Sequence, residues 1–225
     1  MRALAVGNGN DFDTGFVGHR LREHGYTFTE CHREHPDQWP SLDGVDLVLT
    51  LGSEWNVYRA EIAAPVEAEA AFVRDVVDRN VPLLAICFGA QVLSHALGGR
   101  VSRMATPEIG WCDIELDGGD VSLPVGPWVV WHYDVFTVPG GFSELARTSA
   151  GPQLVRGGRT LATQFHPEAT ETMIVRWLSM GGDAELRRHG IEPAELLAQS
   201  RANVTRSGPH AAALVDWFLA EVSAS

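Results

Sequence analysis

Short apolar runs alternate along this chain with stretches in which apolar residues recur every three or four positions. Residues 3–6 (A-L-A-V) form a first strand-like run, residues 16–24 carry a helical pattern, and Y-T-F-T-E-C-H (26–32) reads as a second strand. V-D-L-V-L-T-L-G (45–52) is a continuous apolar third run. Strands that are hydrophobic on both faces are expected where helices cover both sides of a parallel sheet. Residues 60–79 follow with Val66, Phe72, Val73, Val76 and Val77 at helical spacing, and V-P-L-L-A-I-C (81–87) is a fourth buried strand. F-G-A-Q-V-L-S-H-A-L-G-G (88–99) reads as a helix of about three turns closed by Gly98 and Gly99. This β-α-β-α order indicates an α/β domain built in three layers.

From residue 100 to 165 the rhythm changes. V-S-R-M, W-C-D-I-E-L-D, W-V-V-W-H, Q-L-V-R-G and R-T-L-A-T-Q-F are short strand-like runs, punctuated by turn signals at Gly118-Gly119, Gly140-Gly141 and Gly157-Gly158. The last sixty residues are helical in pattern, with helices expected over 171–180, about 193–201 and 210–222. The stripe Val215, Phe218, Leu219, Val222 faces a core. No repeat, low-complexity tract or linker divides the chain, so residues 1–225 are expected to form a single domain with a helical C-terminal segment from about 170.

Composition narrows the class. The 225 residues are 45% hydrophobic and 20% charged, as in soluble globular proteins. No apolar run approaches the roughly 18 residues that span a bilayer, and the N-terminal run is too short for a signal peptide. With 29 acids against 17 bases, the net charge of −12 argues against a nucleic-acid partner. Three scattered cysteines, Cys31, Cys87 and Cys112, do not suggest a disulfide framework and suit a reducing cytoplasm.

Cys87 carries the most chemistry. It stands between a buried strand and a helix, the arrangement of a nucleophile elbow, with small residues two before (Ala85) and two after (Gly89). The following helix N-terminus favours thiolate, and the Phe88 N–H is placed to hold an oxyanion. Taken alone, a cysteine here also reads as a small apolar residue at a strand end. A base is offered by T-Q-F-H-P-E-A-T (163–170), where His166 ends a strand and Glu168 projects to the same side two residues later. Cys87, His166 and Glu168 then make a candidate triad.

Five stretches in order, P-L-L-A-I-C-F-G-A-Q (82–91), A-L-G-G-R-V (96–101), E-I-G-W (108–111), W-H-Y-D (131–134) and Q-F-H-P-E (164–168), resemble the class I glutamine amidotransferases. The likeness is greatest to stand-alone members related to the glutaminase domain of GMP synthase, and it covers roughly residues 45–170. It implies an α/β, flavodoxin-like fold: a mixed, mostly parallel sheet with helices on both faces. It implies that Cys87 attacks the side-chain amide of glutamine to give a γ-glutamyl thioester, with His166 moving the protons and Glu168 orienting it. Phe88 N–H and the backbone at Gly52 and Ser53 would hold the oxyanion. Gln91 would help bind glutamine, and His132 and Tyr133 of W-H-Y-D would line the pocket. No metal or other cofactor is implied, and ammonia would pass to a separate synthetase or be released.

Two positions depart from the family pattern. Ala85 stands where many members have Gly, and the loop after the third strand reads L-G-S-E-W (51–55), with Ser53 and Glu54 in place of Gly and Pro. This loop is a pocket wall, so a hydrolase of larger γ-glutamyl amides or peptides with the same triad stays open. A non-catalytic regulatory subunit is the rival of another class, opposed by the intact triad. Other features have plainer readings. Gly7-Asn8-Gly9 lacks the third glycine of a dinucleotide loop and reads as a turn. Cys31, His32 and His35 lack a second ligand cluster. His95 reads as a packing or surface residue, and Trp128 and Trp131 as strand residues packing under the site. No Walker loop offers a place for ATP.

Overall fold

In chain order the elements are β1 (Arg2–Gly7), α1 (Gly15–Glu23), β2 (Thr27–His32), β3 (Leu47–Thr50), α2 (Ala63–Asp78), β4 (Leu83–Ile86) and α3 (Phe88–Ala96). There follow β5 (Val101–Cys112), β6 (Glu115–Leu116), β7 (Trp128–Phe136), β8 (Ser143–Thr148), β9 (Gly151–Gly157) and β10 (Thr160–Thr163). The chain closes with α4 (Glu171–Trp177), α5 (Asp183–Arg188) and α6 (Pro193–Trp217). The computed structural model describes residues 1–117 and 123–224; the expected turn at Gly118-Gly119 lies outside the described residues.

Eight strands form one sheet in the order β2-β1-β3-β4-β10-β9-β8-β6, and β5 and β7 form a separate antiparallel ribbon. The first five are parallel to one another and the last three antiparallel. The parallel half has the doubly wound order of flavodoxin-like folds, in which sites form beyond the carboxyl ends of the strands. Ala3 and Ala5 of β1 enter one core with Val17 and Leu21 of α1 and Leu214 and Val215 of α6. Leu4 and Val6 enter the other with Val66, Val73 and Val76 of α2 and Val92 and Leu93 of α3. Alternate residues of one strand thus bury into two cores, which is why the strands read as continuous apolar runs. Each fully buried valine of α2 contributes about 1.5–3 kcal/mol to holding that helix on the sheet.

The structure departs from the sequence-based expectations at four places. V-S-R-M and the start of W-C-D-I-E-L-D belong to one strand, β5, whose register shifts between Arg103 and Glu108. Pro107 lies within that shift, where its missing N–H breaks no ladder bond. β8 lies outside every expected strand-like run and carries no clear alternation, since only Ala146 of its six residues is fully buried. The helix expected over 171–180 ends at Trp177, the chain bends at Gly181 (φ 111°), and α5 follows. The fourth difference is α6, a single helix running through Pro209 where two were expected. Pro209 removes one internal hydrogen bond, but Gly208 lies against Phe16, and Ser207, Ala211, Leu214 and Val215 are buried on either side of it. Tertiary packing outweighs the local breaker.

Candidate active site

Cys87 sits at φ 50°, ψ −102°, between β4 and α3. A left-handed φ at a residue with a side chain costs on the order of 1–3 kcal/mol and is kept where surrounding structure imposes it. Here its N–H donates to Thr163 O of β10 at 2.7 Å, and its carbonyl accepts from Gln91 N–H at 3.1 Å. The small neighbours are required by crowding. A Cβ at Gly89 would stand 2.3 Å from Thr50 Oγ1 and 2.8 Å from Thr50 O, while Ala85 pairs with Thr50 across the ladder. The elbow therefore rests directly on β3. Phe88 opens α3, where N–H groups have no intrahelical acceptor.

His166 follows β10 and is anchored by its N–H donating to Val129 O of β7 at 2.8 Å. Its Nδ1 donates to Glu168 Oε1 at 2.7 Å, and both side chains are buried. A carboxylate only accepts, so this contact fixes the tautomer and leaves Nε2 for chemistry. Burial acts to lower the His166 pKa. The Glu168 carboxylate and the Cys87 sulfur outweigh it and hold the imidazole well above its ordinary 6.5. Gln164 Nε2 points at the sulfur from 3.5 Å. Cys87, His166 and Glu168, separated by up to 81 positions in the chain, thus meet where the carboxyl ends of β4 and β10 lie side by side.

They open into a cavity of about 490 Å³, also lined by Gly52, Ser53, Gln91, His132 and Tyr133. Gly52 follows β3 closely enough that a Cβ would lie 2.8 Å from His166 Cε1 and 3.5 Å from Cys87 Cβ. Gln91, one turn into α3, donates from Nε2 to Gln164 Oε1 at 3.3 Å. His132 is bonded at both ring nitrogens, Nδ1 to Asp134 O at 3.0 Å and Nε2 to Glu108 Oε2 at 2.8 Å. Burial pushes the Glu108 carboxyl up, but hydrogen bonds from His132, Thr148 and Gln153 prevail and hold it below its ordinary value. Tyr133 carries the Arg103 guanidinium over its ring at 4.4 Å. Of the sequence-predicted residues, Cys87, His166, Glu168, Gly52, Ser53, Gln91, His132 and Tyr133 line this cavity, whereas the Phe88 side chain is buried behind it in the core.

Other wall residues have no signal in the sequence. Trp177 stacks obliquely on the His166 ring at 5.0 Å and donates from Nε1 to Asp11 at 2.7 Å. Met180 and Gly182, from the bend between α4 and α5, and Glu185 of α5 close the same side. Trp131, expected beneath the site, is in the cavity wall, edge-on to Trp177 at 6.0 Å. Trp128 does lie beneath, stacked on Phe165 at 4.7 Å. Two set-aside residues are plainly elsewhere: His95 pairs with Glu67 at 2.7 Å, and Gly9 N–H donates to Glu34 in a turn.

A strained cysteine, a buried histidine–glutamate pair and a cavity lie together at the sheet's carboxyl edge on a flavodoxin-like frame. Comparison with known proteins agrees. The family model described as "Glutamine amidotransferase class-I" matches residues 16–176. The GMP synthase [glutamine-hydrolyzing] of Aeropyrum pernix is 35% identical over 178 residues, covering 73% of this chain and 33% of that protein. That of Nitratidesulfovibrio vulgaris is 31% identical over 170 residues, covering 71% and 32%. The chain therefore spans about a third of the length of these curated relatives. A crystal structure of a glutamine amidotransferase from Thermotoga maritima shares the fold with a TM-score of 0.86 at 23% identity, over 98% of this chain and 99% of that one. The chain belongs to the class I glutamine amidotransferase family.

Proposed function

We propose that the chain hydrolyses the side-chain amide of glutamine to glutamate and ammonia. The observation that carries this reading is the His166–Glu168 contact at 2.7 Å beside a cysteine held at positive φ on the cavity wall. In the first half-reaction the Cys87 thiolate attacks the amide carbon. The oxyanion forms against the N–H groups of Phe88 and of Gly52 or Ser53, and His166 gives its proton to the departing amine. The C–N bond breaks, ammonia leaves and a γ-glutamyl thioester remains. His166, now neutral, takes a proton from water as the water attacks the thioester. Glutamate leaves and the proton returns to the sulfur–imidazole pair, so glutamine and water become glutamate and ammonia. Glu168 stabilises the imidazolium in both halves.

Gln91 and Tyr133 face the substrate in this reading, and His132 shapes the wall through its two internal bonds. Residues 1–225 act as one domain, the C-terminal helical segment supplying a wall of the pocket. No cofactor takes part. Ammonia goes to a separate synthetase or to solvent. None of the described helices is long and apolar enough to cross a membrane. Glutamate release by the purified chain, with Cys87→Ala in parallel, tests the proposal: release confined to the wild type is expected.

One observation favours a second reading. The cavity extends beyond the triad to Trp177 and Glu185, outside the residues that the family model matches, and Asp11, Asp13 and Glu54 give it an acidic lining. Such a space admits γ-glutamyl amides larger than glutamine. A substrate panel separates the two readings. The intact triad opposes the non-catalytic alternative.

A further inference from the structure

The only fully buried arginine among the described residues lies behind the loop that carries Gly52 and Ser53. Arg33 follows β2 and is completely enclosed. A buried guanidinium is costly unless every donor is met, and here all five N–H groups are. Nε and Nη2 grip the Glu69 carboxylate of α2 at 2.7 and 3.1 Å. Nη1 donates to Asn8 Oδ1 at 2.6 Å and to Gly52 O at 3.3 Å, and Nη2 donates to Leu51 O at 3.1 Å. The guanidinium also lies over the Phe88 ring, 4.8 Å from its centroid.

The two carbonyl contacts have a consequence for the catalytic side. The Leu51–Gly52 and Gly52–Ser53 peptides are trans, so each N–H points opposite to the carbonyl of its own peptide. Both carbonyls turn toward Arg33, so the N–H groups of Gly52 and Ser53 turn away from it. Leu51, Gly52 and Ser53 line the cavity and Arg33 does not, so the loop stands between the guanidinium and the cavity. Two successive N–H groups facing one way form an anion-binding concavity. The same cation braces Phe88, whose N–H is the other donor.

We propose that Arg33, clamped by Glu69, is a positioning residue for the oxyanion hole: it fixes the direction of the Gly52 and Ser53 N–H groups and sets them in register with Phe88 N–H. The proposal rests on the amide-hydrolysing reading above. Arg33 touches neither substrate nor Cys87; it acts through the two carbonyls. A lysine in its place presents one point charge and cannot span Glu69 and both carbonyls with fixed geometry.

Steady-state kinetics with glutamine, or with the γ-glutamyl amide the wild type prefers, tests this on two variants. Arg33→Lys keeps the charge. Arg33→Met combined with Glu69→Leu replaces the buried pair with apolar residues, an exchange that folds commonly tolerate. Misdirecting a donor of an oxyanion hole costs about 10²–10³ in kcat, so kcat is expected to fall about 10²-fold in the double variant and less in Arg33→Lys, with KM within about threefold. Alkylation of Cys87 by iodoacetamide, which forms no oxyanion, is expected to keep its wild-type rate in both. An unchanged kcat in the double variant overturns the inference while leaving the function standing. Alkylation lost together with turnover in both variants also overturns it, because the arginine then only maintains the fold. A wild type that hydrolyses no γ-glutamyl amide overturns the functional reading instead, and the inference falls with it.

Discussion

His132 Nε2 lies 2.8 Å from Glu108 Oε2, so the histidine of W-H-Y-D on β7 is tied to the glutamate of E-I-G-W on β5. Gln153 of β9 donates to the same carboxylate at 2.7 Å, which joins the ribbon to the main sheet. Two motifs that stand apart in the sequence are one hydrogen-bonded unit.

Removing the acceptor leaves buried donors unmet. Glu108→Ala is expected to lower stability by about 1–3 kcal/mol. Because the folded-state carboxyl is held below its ordinary value, the contribution of Glu108 is present above 4.5 and is lost as pH falls toward its folded value. Urea unfolding of wild type and variant at several pH values checks both: the two are expected to converge in acid.

Glu168→Gln removes one of the two charges that keep the His166 proton in place. The active pair needs a protonated imidazole to expel ammonia, so the alkaline limb of kcat/KM reports His166. With the folded value raised, that limb is expected well above 6.5 in the wild type and at lower pH in the variant, with kcat reduced less than by Cys87→Ala. Since the folded value is raised, the stabilisation from the protonated ring is complete below 6.5 and lost as pH rises through that folded value. An alkaline limb that does not move contradicts the role given to Glu168.

Gly52→Ala places a methyl 2.8 Å from His166 Cε1. Displacing the imidazole by about an ångström is expected to lower kcat by about 10²-fold. The loop is at the surface of the cavity, so the thermal midpoint is expected to stay close to wild type.

Much of this site is legible in the sequence because local chemistry announces it. A buried strand, a cysteine and a small-residue turn specify the elbow, and H-P-E two residues apart specifies the dyad. The helix start expected at residue 171 is observed, with Thr170 Oγ1 accepting from Met173 N–H at 3.2 Å. What is hidden depends on tertiary contacts. Arg33 reads as an ordinary polar residue in H-R-E-H, since its five acceptors come from three segments of the chain. Trp177 looks like any apolar helix residue until the fold lays the end of α4 against His166. α6 hides its continuity behind Pro209, and β8 hides at the thin end of the sheet.

Trp177→Ala opens the wall beside His166 and releases Asp11 from its indole partner. Glutamine turnover is expected to fall, while the ratio of kcat/KM for a bulky γ-glutamyl amide to that for glutamine rises. A panel of γ-glutamyl amides of graded size measures the ratio; a ratio that does not change contradicts the part given to this wall.

The most direct test of the central claim is glutamate release from glutamine by the purified chain beside Cys87→Ala. Release by the wild type and none by the variant is expected, with both proteins folded. Equal release from the two would contradict Cys87 as the nucleophile.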